Sequence, residues 1–266
     1  MPSHASANGI AVAYSLEGPE DRPVVMLGHS LMASLAMWGR QMPALTARYR
    51  VLRYDTRGHG GTQATPGPYA IDLLAMDARA LLDVLGIERV HYVGLSLGGM
   101  VGQLLAAKHP ERLTSVALCD TASHMPPASL WDERIRTAEL EGLEPLIPGT
   151  LERWFTAPFR ERRGDAIGRV REMMRATPVL GYVGCCRAIR DMNQTDVLGL
   201  IRVPTLIVVG DQDPSTPVAT ARLLHELIAG SELAVIKDGA HLPNIEQPEA
   251  FNAALLGFLD RVERGR

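Results

Sequence analysis

The sequence predicts an α/β fold, a mainly parallel sheet flanked by helices with a helical cap inserted between two of its strands. Three observations predict it. Short apolar runs alternate with amphipathic helical patterns, as they do when parallel strands are joined by crossover helices. The alternation lapses between about residues 121 and 201, where prolines separate helix-like pieces and no strand pattern occurs. Finally, a Gly-x-Ser-x-Gly stretch, Gly94-Leu95-Ser96-Leu97-Gly98, falls between a strand pattern and a helix pattern.

Taken in order, strands are predicted at 10–16, 24–27, 51–54, 90–94, 115–118, 205–209 and 233–236. Each is a short apolar, β-branched-rich run bounded by turn residues. Helices are predicted at 35–48, 71–85, 97–108, 218–228 and 248–262. Gly86 and Pro110 stop two of them, one by supplying a C-cap conformation and the other by refusing to continue the helix. The strandless stretch carries helical pieces at 130–140, 151–155, 165–176 and 180–193. It is too long to be a loop. It therefore reads as a cap over the carboxyl edge of the sheet, where open α/β folds bind ligands. The domain reading is a core of 1–120 and 202–266 with a cap of 121–201.

A chain of 266 residues, 46% hydrophobic and 21% charged, suits one large globular core. A net charge of −3 gives no basic footprint for nucleic acid or an anionic membrane surface. Residues 1–9 have neither a basic n-region nor an apolar h-region, so they are not a signal peptide, and His4 falls in a loose end. No apolar run approaches the ~20 residues that span a bilayer. Cys119, Cys185 and Cys186 are odd in number and two are adjacent, which favours free thiols in a reducing cytoplasm. No metal-ligand spacing occurs, no cofactor is called for, and no residue pattern fixes an oligomeric state.

The chemistry is concentrated at the ends of the predicted strands. A serine on a sharp strand-to-helix turn projects its hydroxyl above the sheet, and a helix N-terminus beneath it favours developing negative charge. Such a hydroxyl needs a base, and the base needs a group that holds its tautomer. After strand 205–209 comes Gly210-Asp211-Gln212-Asp213-Pro214, and after strand 233–236 comes Asp238-Gly239-Ala240-His241. His241 is the base candidate among eight histidines, because it alone is in register with these strand ends; His29 and His59 read as loop-shaping. Asp213, fixed before Pro214, is the acid candidate, with Asp211 as the alternative that caps the loop. Oxyanion donors are the backbone N–H groups of Leu97, next after the serine, and Leu31, in the loop after strand 24–27.

This ordered set, with Arg53-Tyr54-Asp55-Thr56-Arg57-Gly58-His59-Gly60, resembles the α/β-hydrolases over essentially the whole chain. More narrowly, Ser30-Leu31, the cap segments Arg153-Trp154-Phe155-Thr156 and 181–192, and the tail Leu242-Pro243-Asn244-Ile245-Glu246-Gln247-Pro248 resemble the 3-oxoadipate enol-lactonases. Leu97, where many of those relatives carry Met, and the Gly28-His29 pair depart from their pattern at the mouth of the pocket. The resemblance implies a cofactor-free serine hydrolase that opens a small lactone bearing a carboxymethyl arm, through an acyl group on Ser96. A general carboxylesterase, perhydrolase or lactamase uses the same site on other substrates. A non-enzymatic ligand-binding homologue needs a broken set of three, whereas Ser96, Asp213 and His241 are all present. A substrate carboxylate in an apolar pocket requires a cation or a set of hydrogen-bond donors. Trp131 and Arg134 lie one helical step apart and are placed to share a face, while Trp154 stands beside Arg153. Arg187 and Arg190 are the other cap cations considered.

Overall fold

The computed structural model describes residues 2–265. One eight-stranded sheet carries β1 (Ser3–Ala7), β2 (Ile10–Glu17), β3 (Val24–Gly28), β4 (Arg50–Tyr54), β5 (Val90–Leu95), β6 (Leu113–Cys119), β7 (Thr205–Gly210) and β8 (Glu232–Ile236). Their order is β1-β2-β4-β3-β5-β6-β7-β8, antiparallel where β1 meets β2 and β2 meets β4, and parallel everywhere else. β5, β6 and β7 are buried along their whole length, as near-continuous apolar runs covered on both faces must be.

Two expectations are corrected. The first residues are not a loose end: β1 pairs with β2 through the Asn8-Gly9 turn, both residues of which have positive φ, as a two-residue hairpin turn demands. The helix expected over 35–48 is a 3-10 turn at Leu35–Trp38 followed by α1 (Met42–Thr46). Pro43, which has no backbone N–H, is tolerated only at the first turn of a helix and so fixes where α1 begins.

Helices α2 (Ile71–Val84), α3 (Leu97–Lys108), α10 (Val218–Leu227) and α12 (Pro248–Arg264) pack on the sheet, with the single-turn α11 (Pro243–Glu246) leading into the last. In α3 every residue from Leu97 to Ala106 is buried, which is why its pattern is apolar all round rather than striped. Between β6 and β7 come only helices: α4 (Ala128–Glu141), α5 (Ile147–Trp154), α6 (Ala157–Arg162), α7 (Gly164–Arg175), α8 (Val179–Asp191) and α9 (Thr195–Leu198), with one 3-10 turn at Glu144–Leu146.

The register aligns the carboxyl ends of the strands. Gly28 of β3 lies opposite Gly94 of β5, Leu95 opposite Cys119 of β6, Cys119 opposite Val208 of β7, and Gly210 opposite Ile236 of β8. The loops that follow these residues therefore emerge at one level along one edge. No helix among the described residues is long and apolar enough to cross a membrane.

Candidate active site

Ser96 occupies the turn between β5 and α3 with φ 54° and ψ −111°, a conformation costly for any residue with a side chain. The flanking glycines make the turn possible. A Cβ at Gly94 would stand 2.1 Å from the Gly98 carbonyl oxygen, and one at Gly98 would stand 2.3 Å from that of Gly28. The turn is held from both sides. Ser96 N–H donates to the Cys119 carbonyl (2.9 Å), the Thr121 hydroxyl donates to the Ser96 carbonyl (2.8 Å), and Gly98 N–H donates to the His29 carbonyl (3.1 Å). The last bond ties the start of α3 to the loop that carries Leu31. Neither Leu31 N–H nor Leu97 N–H donates to another protein group among the described residues.

His241 and Asp213 meet as their loops require. His241 Nδ1 lies 2.8 Å from Asp213 Oδ2, with both side chains buried. Asp213 is fixed in turn by Ser215 N–H (2.7 Å) and the Thr216 hydroxyl (2.5 Å). Burial alone would raise its carboxyl, but the His241 ring and these two donors hold it below the ordinary carboxylate value. Asp211 is exposed and accepts from Gly239 N–H (3.3 Å), so it joins the acid loop to the histidine loop and stays clear of the His241 ring.

Ser96, His241 and Leu31 form part of the wall of a cavity of about 570 Å³, a size suited to a small ligand. Trp131, Arg134 and Trp154 line it as well, contributed by α4 and α5. The Trp154 ring lies over His241, with centroids 6.4 Å apart. The Leu97 side chain is wholly buried elsewhere and is no wall of this cavity, so only its N–H can serve there. Cys185 and Cys186 are buried, and neither lines it.

Arg134 sits between the Trp131 ring (5.6 Å) and the Tyr182 ring (5.8 Å), and its Nε donates to the Tyr182 hydroxyl (2.8 Å). Arg153, one turn along α5 from the Thr150 hydroxyl it bonds (3.2 Å), faces the same cavity. Burial and then the neighbouring Arg134 charge push its guanidinium below the ordinary arginine value. Among the described residues no carboxylate lies within 4.0 Å of either guanidinium; Glu133, which also lines the cavity, pairs with neither. Arg187 and Arg190 differ: they are bonded to Glu139 (2.7 Å) and to Asp132 and Asp191 (2.8 and 2.7 Å).

Two acids escape a reading of the sequence. Glu246 accepts from Ala240 N–H (2.9 Å), Thr156 N–H (3.1 Å) and the Thr156 hydroxyl, tying the end of α5 to the residue before His241. Its only signal is its place in the tail motif. Asp120, the first residue past β6, is buried at the same strand-end level as the acid loop, and that position was its signal. Among the described residues no cluster of three or more His, Cys, Asp or Glu is placed to hold a metal ion.

Residues 23–248 match the family model described as alpha/beta hydrolase fold. The chain is 36% identical to 3-oxoadipate enol-lactonase 2 of Acinetobacter baylyi over 256 residues, 96% of each chain. It is 37% identical to the crystal structure of the enol-lactonase from Burkholderia xenovorans LB400, with a TM-score of 0.95 over 97% of this chain and 100% of that one. A thermophilic esterase from Thermogutta terrifontis, solved with malate bound, is 28% identical with a TM-score of 0.92 over 98% and 99%. The chain therefore belongs to the α/β hydrolase fold family and resembles, within it, the 3-oxoadipate enol-lactonases.

Proposed function

We propose that this carboxylic ester hydrolase opens 3-oxoadipate enol-lactone to 3-oxoadipate, a step of aromatic catabolism by the β-ketoadipate route, through an acyl group on Ser96. The observation that carries the substrate is the cavity itself: Ser96 and His241 line it, and Arg134 and Arg153 line it too without an acid to pair with. Both guanidiniums are partly buried, and a partly desolvated cation without a counter-ion carries a cost that a ligand carboxylate removes. The lactone carries one, on the arm remote from its reacting carbonyl. Trp131, against Arg134, and Trp154, beside His241, supply flat apolar walls.

In this reading Asp213 holds Nδ1 of His241, leaving Nε2 for the Ser96 hydroxyl. Ser96 Oγ adds to the lactone carbonyl as its proton passes to Nε2, and the Leu31 and Leu97 N–H groups receive the oxyanion. Collapse breaks the ring C–O bond. The leaving enol takes the proton from His241 and tautomerises to the ketone. Water, deprotonated by His241, then adds to the acyl group, and Ser96 leaves with that proton. The core of 1–120 and 202–266 supplies these groups, and the cap of 121–201 supplies the cations. The chemistry needs no cofactor, no nucleic acid and no membrane, and it belongs to the cytoplasm.

The test is the loss of enol-lactone ultraviolet absorbance with purified protein, beside a panel of uncharged p-nitrophenyl esters. Turnover of the lactone with poor use of the esters supports the reading. The reverse pattern makes the protein a general carboxylesterase, the second reading, which the likeness to the Thermogutta esterase favours.

A further inference from the structure

Asp120 is a buried acid that the steps above do not use. It follows β6 with φ 42°, a conformation that only a few non-glycine residues adopt and one that turns the chain sharply. Its neighbours face the serine turn: the Cys119 carbonyl accepts from Ser96 N–H and the Thr121 hydroxyl donates to the Ser96 carbonyl. Asp120 faces the other way, into the acid loop. Its Oδ1 accepts from Gly210 N–H (2.8 Å), and the Gly210 carbonyl accepts from Asp213 N–H (3.3 Å). Its Oδ2 is closed off from solvent, and no N–H or hydroxyl reaches it.

A carboxylate with one oxygen orphaned in a dry interior is unstable, and two adjacent buried carboxylates do not both ionise. Asp213 already has three donors, namely the His241 ring, Ser215 N–H and the Thr216 hydroxyl, so the negative charge belongs there. The titratable groups beside Asp120 are Asp213 and Cys119, with His241 beyond Asp213. Burial, and then the Asp213 charge, push its carboxyl well above the ordinary carboxylate range.

We infer that Asp120 is a neutral carboxylic acid whose Oδ2–H is donated to Asp213, and that it acts as a positioning residue for the Asp213–His241 pair. A proton on Oδ2 removes the orphan oxygen and gives Asp213 a fourth donor. The bond links the strand end that braces the serine turn to the loop that orients the base. The inference rests on the proposed roles of Ser96, Asp213 and His241.

Two measurements test it. The first does not depend on turnover. Infrared difference spectra of the wild type against Asp120→Asn at pH 7 are expected to show a carboxylic-acid C=O stretch present only in the wild type; its absence overturns the inference. The second is kinetic. Asp120→Leu, which keeps the volume but neither donor nor acceptor, is expected to lower kcat 10–100-fold with KM changed less than 3-fold. Asp120→Asn, which retains an acceptor for Gly210 and a donor for Asp213, is expected to recover kcat to within about 5-fold of the wild type with the acid limb of kcat/KM unmoved. An acid limb displaced by a pH unit in Asp120→Asn means that a charge was lost, and Asp120→Leu with more than a third of wild-type kcat means that nothing was positioned. Either result overturns the inference. Failure of the parent reading is separate, since it shows as a fully active Ser96→Ala whatever the infrared band does.

Discussion

At Ser96, Asp213 and His241, side-chain chemistry and backbone position agree in a way that single substitutions can separate. Ser96→Ala is expected to lower kcat by about 10⁶-fold, and the double variant with His241→Ala to be little worse, because groups that act as a unit are not additive. Asp213→Asn is expected to be far more damaging than Asp211→Asn, since only Asp213 touches the His241 ring. Steady-state kinetics on folded variants decide it, and a crippling Asp211→Asn would move the acid two residues upstream. Arg134→Ala is expected to raise KM for a carboxylate-bearing lactone about 10–100-fold while barely changing an uncharged ester, a charge-assisted contact being worth about 1.5–3 kcal/mol. Equal losses on both would make Arg134 a support for Trp131 and Tyr182 instead. The candidate site was legible in the sequence because its members follow strand ends in a fixed order. Arg134 could be preferred over Arg187 and Arg190 only weakly, since which cation has an acid beside it is decided by helices distant in the chain.

Elements with strong internal patterns were legible, and those made by their partners were not. The buried strands β5, β6 and β7 announce themselves as apolar runs, whereas Ser3-His4-Ala5-Ser6-Ala7 is a strand only because Asn8-Gly9 folds it back on β2. The way the cap is fastened was equally hidden. The end of α5 reaches the histidine loop through Thr156 and Glu246, and Leu242 N–H donates to the Trp154 carbonyl (3.1 Å). At a second point Gly181 of α8 crosses Gly58, where a Cβ on Gly181 would meet the Gly58 carbonyl oxygen at 2.0 Å. Segments that look like separate motifs in the sequence are thus two halves of a joint. Glu246→Ala leaves buried N–H groups unpaired, at about 1–3 kcal/mol each. It is expected to lower Tm by about 4–10 °C and kcat about tenfold, because the loop it holds carries His241. A lowered Tm with kcat intact would make the tie one of stability alone.

For the molecule as a whole, fold class was legible because alternation of strand and helix patterns leaves few topologies open. The catalytic edge keeps its shape partly through His29 and His59, which the sequence already marks as loop-shaping; what the pattern did not carry is which backbone groups they bond. His29 Nε2 accepts from Thr56 N–H (2.9 Å) and its Nδ1 donates to the Ser30 carbonyl (2.8 Å), while His59 Nε2 accepts from Met32 N–H (3.2 Å). Both rings must be neutral to accept these bonds, and they lie 5.3 Å apart beneath the Leu31 loop. Burial pushes His29 down to about 4, and burial with the His29 charge pushes His59 down to about 3. A folded-state value depressed below the unfolded 6.5 gives stability that is whole above pH 6.5 and drains as the pH falls towards 3. Asp120 has the opposite sign: raised in the fold, it adds stability as the pH falls, so wild-type Tm alone mixes the two. The comparison that isolates His59 is His59→Gln, whose amide oxygen can still accept from Met32 N–H but binds no proton. Between pH 7 and 4.5 His59 accounts for about 2–3 kcal/mol, so the wild type is expected to lose about 5–10 °C more Tm than His59→Gln over that interval. Parallel Tm curves for the two proteins would show that the ring is not held neutral. The oxyanion loop would then need another explanation for its shape.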